Sequence, residues 1–165
     1  MRQKDVFDED MIKDIKPADI ALSMVKYCES KGYKMTNRRL QVTMYYTHIY
    51  SLCKNKEGLF EEDFLTYRGG PVLKSINNKL KWLGTTENID SKLFASIFGK
   101  DYRELKKEDE RLVLGVLEAT INKPCYELVD AIEKTDFYER ISNYSTEFNI
   151  KIKSADILDY YNQFF

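Results

Sequence analysis

Four groups of residues could carry chemistry in this sequence. His48 is the only histidine, one helical turn beyond Met44 and beside Ile49. Its spacing places neither a nucleophile nor an orienting carboxylate next to it, so a packed or surface role is preferred to that of a general base. Cys28, Cys53 and Cys125 lie far apart among apolar neighbours, with no Cys-x-x-Cys pair. They read as reduced, small core hydrophobes rather than a disulfide frame. One histidine and three scattered cysteines also leave a zinc centre short of ligands. The acids Glu57, Glu61, Glu62 and Asp63 could act in pairs, but a run of acids in a turn is ordinarily a solvated cap. Finally, Gly69-Gly70-Pro71 lies between Arg68 and Lys74. Free N–H groups at a helix start there could hold a phosphate or a carboxylate, and a glycine-proline turn feeding a helix explains the same residues without a ligand. No phosphate-binding loop, dinucleotide fingerprint or nucleophile elbow is written in the chain. The expectation is a protein that is not an enzyme and needs no cofactor or metal.

The elements that would position these residues are mostly helical. With 165 residues, 43% of them hydrophobic, the chain suits one domain that buries roughly two thirds of its unfolded surface. Residues 1–16 read as an acidic lead-in with no apolar block, so neither a signal peptide nor a membrane span is expected, and a cytoplasmic setting is the default. Residues 17–165 read as a single helical domain. Pro17 opens a first helix on which Ile20, Met24, Tyr27 and Cys28 share a face, and Gly32 ends it. Thr36 and Asn37 offer caps for a second, central helix to about Cys53, rich in apolar positions. A third is expected from Val72 to Gly84, carrying Leu73, Ile76, Leu80 and Leu83 on one side. Further helices are expected at Ser91 to Phe98, Lys107 to about Asn122, from Pro124, Asp136 to Tyr144, and from a Ser154 cap to Phe165. Asn149 to Ile152 alternates polar with apolar, as a short strand would. The fold class is therefore mainly α: a single compact domain of about six to eight helices with at most a small β element.

Charge is polarised along the chain. Residues 1–29 carry five bases and seven acids, residues 30–86 ten bases and four acids, and residues 87–165 eleven bases and sixteen acids. Phe64 to Thr86 contains no acid at all. This basic stretch is either a solvated face that pairs with the acidic C-terminal half or an electropositive docking surface for an acidic protein or a nucleic acid. It lacks a helix-turn-helix or RNA-recognition pattern beside it, which makes nucleic acid the lesser alternative. Trp82, the sole tryptophan, falls at the border of the third helix between its apolar and polar faces. Core filling is the usual role there, and an interface anchor flanked by Lys74 and Lys81 is the other. Gln41, an amide inside an apolar helix face, is expected to fix loop backbone near Gly69-Gly70 rather than to touch a ligand.

Two stretches stand out together: Arg39 to Tyr46, and Phe60 to Val72. With Ala18-Asp19-Ile20-Ala21 upstream and the Ile150 to Tyr161 pattern downstream, they resemble the Panacea (SocA/GepA-like) domain family. The residues carrying the likeness are Leu40, Gln41, Tyr45, Tyr46, Leu59, Phe60, Tyr67, Gly70, Pro71 and Val72. Val42 departs from the family's usual lysine and Tyr67 from its common tryptophan. The resemblance implies a prokaryotic or phage-associated, non-enzymatic antitoxin that neutralises a toxin encoded beside it by direct binding. Some relatives are described as adaptors that present a partner to a protease. On this implication the motif residues are mainly structural, and Arg68, Lys74, Lys81 and Trp82 are the candidate partner interface. A nucleic-acid-binding regulator using residues 30–86 is the alternative.

Overall fold

A computed structural model describes residues 15–67, 69–143 and 150–165. They form eight α-helices and a two-stranded antiparallel ribbon. The mainly α architecture matches the expectation, and no helix among the described residues is long and apolar enough to cross a membrane.

Helix α1 (Pro17–Lys31) starts as its sequence dictates, with Pro17 in the first turn and the Asp19 carboxylate accepting the Lys16 amide at 2.9 Å. The other Asp19 oxygen takes the Arg103 amide at 3.0 Å, so this buried acid ties a distant loop to the helix start. Gly32, at φ +74°, ends the helix in the left-handed conformation that glycine adopts without strain. Helix α2 (Asn37–Asn55) is capped by the Thr36 hydroxyl, which accepts the Arg39 amide. Burial reaches nearly all round it, including Leu40, Gln41, Met44, Tyr45, His48 and Leu52, as an interior helix requires. It packs against α1, α5 (Lys107–Thr120), α6 (Cys125–Glu133) and α8 (Ser154–Tyr161). Helix α4 (Ser91–Phe98) covers the far side of α1, and α7 (Asp136–Asn143) follows α6.

Three boundaries differ from the sequence expectation. The third helix, α3, spans only Lys74–Leu80 and then tightens into a 3₁₀ turn, Lys81–Leu83. Val72 is not helical: it exchanges both backbone hydrogen bonds with Leu65, at 2.8 and 3.0 Å. Leu65 and Phe64 form strand β1, which pairs with β2 (Lys151–Ile152). Pro71 therefore enters an extended segment rather than the first turn of a helix. At the C-terminus Lys153, not Ser154, is the cap residue, because the Ser154 hydroxyl is engaged elsewhere. Pro124 likewise precedes α6 as its cap. Tyr144 and Asn149, expected at a helix end and a strand start, lie outside the described residues.

Candidate functional site

The Gly69-Gly70-Pro71 turn is seated on α2 and α6. Gly70 has φ +109°, and a Cβ there would stand 3.2 Å from Val129 Cγ1 of α6. Gly69, at φ +82°, lies against the Arg38 guanidinium, with Nη2 3.1 Å from where its Cβ would be. Both positions thus need glycine for conformation and for close approach. Beyond the turn, Gln41 Oε1 accepts the buried Leu73 amide at 2.8 Å. Its Nε2 donates to Asn37 Oδ1 at 3.2 Å, and Asn37 Nδ2 donates to Asn77 Oδ1 at 3.1 Å. The amide chain clamps the start and the middle of α3 onto α2, with Gln41 holding Leu73 rather than a glycine. Tyr45 is fully buried edge-on against Phe64, centroids 5.0 Å apart, and Tyr46 donates its hydroxyl to the Leu128 carbonyl at 2.8 Å. Burial pushes the Tyr46 hydroxyl up to about 12, which keeps it a neutral donor.

These bonds remove the anion site considered at Val72 to Lys74. The Val72 amide goes to Leu65, the Leu73 amide to Gln41, and the Ser75 amide to Glu62 Oε2 at 3.0 Å. With the amides on either side of Lys74 taken, this helix start offers no converging set of free N–H groups to cradle a phosphate.

The candidate interface residues fall into two groups and one absence. Arg68 lies outside the described residues. Lys74 and Lys81 are exposed and line a cleft of about 960 Å³ with Lys151. Its other wall carries Glu61, Glu62 and Asp63. The ribbon folds these acids onto the lysine face, so the acid-free stretch of sequence becomes an amphoteric cleft in space. Trp82 stands beside it on the 3₁₀ turn, 81% exposed, with Lys81 Nζ 5.4 Å from its ring centroid. Tyr67, a motif residue, is also exposed.

No family model, curated protein or solved structure matches the chain. The surface is therefore characterised by its own chemistry: a large apolar ring held out in solvent, flanked by cations and by a cleft of both charge signs. Exposed tryptophan is an unusual use of the largest apolar side chain, and it is the residue most enriched among interface anchors.

Sequence spacing could not find one pair of side chains. His48 Nε2 and Ser154 Oγ share a hydrogen bond at 3.0 Å across 106 residues. The imidazole is 1% exposed, stacked on Phe60 at 5.2 Å, and so close to Gly58 that a Cβ there would stand 2.8 Å from Cε1. Its Nδ1 is buried with no hydrogen-bond partner among the described residues, and burial lowers its pKa to about 4. The ring is thus neutral, and among the described residues no carboxylate orients it as a base. Its consequence is for stability. Unfolding frees the imidazole to titrate near 6.5, so between pH 6.5 and 4 the unfolded chain binds a proton that the folded chain refuses. Stability is fully present above pH 6.5 and declines as pH falls, by about 2 kcal/mol between pH 7 and 5. Urea unfolding at the two pH values checks this: His48→Leu should flatten the dependence over that window, and an unchanged slope would place its cause elsewhere.

Proposed function

We propose that this chain is a non-enzymatic protein-binding module of the antitoxin kind that the Panacea-like motif implies, neutralising a cognate protein by direct binding. The observation that carries the reading is Trp82, 81% exposed on a turn next to Lys81 and the lysine-lined cleft. An apolar anchor surrounded by charges of both signs suits a protein partner that buries the ring and matches the charges around it. The motif residues serve this surface indirectly: Gln41 holds the start of α3 onto α2, while Tyr45, Tyr46, Gly70 and Val72 fix the neighbouring segments against Phe64, Leu128, Val129 and Leu65.

Neutralisation on this reading is occlusion: the partner's working surface is covered and nothing is modified. The test is reversibility. Partner inactivated by a stoichiometric amount of this chain should regain full activity once the complex is separated in denaturant and the partner is refolded alone. Partner that stays inactive and carries a mass change would mean covalent modification and overturn the reading.

A further inference from the structure

A second cavity, of about 530 Å³, lies beside the end of α5 and the start of α6 and shares no lining residue with the lysine-lined cleft. It is lined by Lys34, Arg38 and Arg39, with Tyr33, Thr85 and Cys125 among the other residues and no carboxylate among the described residues of its lining. Arg39 is fixed in place: Nη2 donates to the Lys123 carbonyl at 2.6 Å and Nη1 to the Thr120 carbonyl at 3.4 Å. The Arg38 guanidinium lies close against Gly69. Burial pushes the Cys125 thiol above its usual value, and the positive field of Arg39 and Arg38 offsets part of that rise. Glu133 feels Arg38 as well, but it is outside the lining.

Lys34, Arg38 and Arg39 line one recess, and a recess lined by one sign of charge concentrates counter-ions. Guanidinium forks match phosphate oxygens with paired hydrogen bonds. The volume is in the range of small-ligand sites, and the half-exposed Tyr33 ring offers a flat apolar surface beside the charges. We propose that this cavity binds a phosphate monoester, its phosphate between Arg38, Arg39 and Lys34 and its organic part against Tyr33. The assignment is independent of the partner-binding surface and goes beyond it.

Cys125 reports on occupancy, since Cys28 and Cys53 are buried and Cys125 is partly accessible. The full-length chain is alkylated with iodoacetamide, and the rate at Cys125 is read by mass spectrometry at fixed ionic strength. An anion in the cavity blocks the thiol and cancels the field that favours its thiolate. Adenosine monophosphate at millimolar concentration should slow alkylation about tenfold, inorganic phosphate less, and chloride not at all. Arg38→Gln should abolish the protection while keeping the wild-type melting midpoint. Should that variant melt early, Lys34→Gln, an exposed substitution, makes the same test. Equal slowing by chloride, or protection that survives both variants, would show simple screening and overturn the site. Equal protection by phosphate and the nucleotide would overturn the role of Tyr33. Protection by a polyglutamate peptide but not by phosphate would reassign the recess to an acidic protein.

Discussion

Replacing Gln41 with alanine is expected to remove about 3 kcal/mol of folding stability and to lower the melting midpoint by about 6–12 °C. The magnitude follows from what the amide holds. Its oxygen is the partner of the buried Leu73 amide, and its nitrogen continues through Asn37 to Asn77. Truncation leaves a buried N–H unpaired, at a cost of about 1–3 kcal/mol, and a side-chain void beside it. Gln41→Leu separates the two contributions: it fills most of the volume but cannot accept the hydrogen bond, so it should recover less than half of the loss. Gln41→Glu keeps an acceptor for Leu73 but cannot donate to Asn37, and it brings a charge into a buried site. Chemical unfolding of the three variants checks this ordering. A Gln41→Ala variant as stable as wild type would mean that the clamp between α2 and α3 contributes nothing.

The second large effect is on binding and should leave the fold alone. Trp82→Ala is expected to weaken the complex with the cognate partner by about 2 kcal/mol, roughly 30-fold in Kd. Lys74→Glu combined with Lys81→Glu should weaken it about tenfold further, chiefly by slowing association and making it less dependent on salt. All three residues are exposed, Trp82 by 81%, so the unfolding midpoint should stay within experimental error of wild type. Surface-bound kinetics across a salt series reads both quantities. Full affinity in the triple variant would move the interface away from this face.

Local signals carried much of the fold. Pro17, Gly32 and Thr36 bound the first two helices because a missing N–H, a left-handed φ and a capping hydroxyl act within a few residues of themselves. Ser91 to Phe98 was legible from its closing Gly99, and the helix expected from Lys107 to about Asn122 was legible from the spacing of Val113, Leu117 and Ile121, though it ends at Thr120. Where the expectation failed, a distant partner had decided the outcome. Val72 continues the apolar period of α3, yet its backbone is claimed by Leu65, itself paired to Lys151. That pairing also swings Glu61, Glu62 and Asp63 over the lysines, which no count of charges along the chain could show. Ser154 looked like a helix cap until His48, 106 residues earlier, proved to hold its hydroxyl. Gln41 was legible as a structural amide because an amide on an apolar face needs partners, while its target, Leu73 rather than a glycine, depended on where the extended segment ends. The recess of Lys34, Arg38 and Arg39 was hidden in the same way, since its wall is completed by Thr85 and Cys125.

The central claim is that this chain neutralises a protein by binding it through the Trp82 face. Its most direct test is growth of cells that express the adjacent open reading frame, alone, with this chain, and with the Trp82→Ala, Lys74→Glu, Lys81→Glu variant, followed by co-purification. The expected result is growth arrest by the neighbour alone, relief by the wild-type chain with both proteins eluting together, and neither relief nor co-elution with the variant. Arrest relieved equally by the variant would contradict the placement of the interface, and a neighbour that neither arrests growth nor binds this chain would contradict the claim itself.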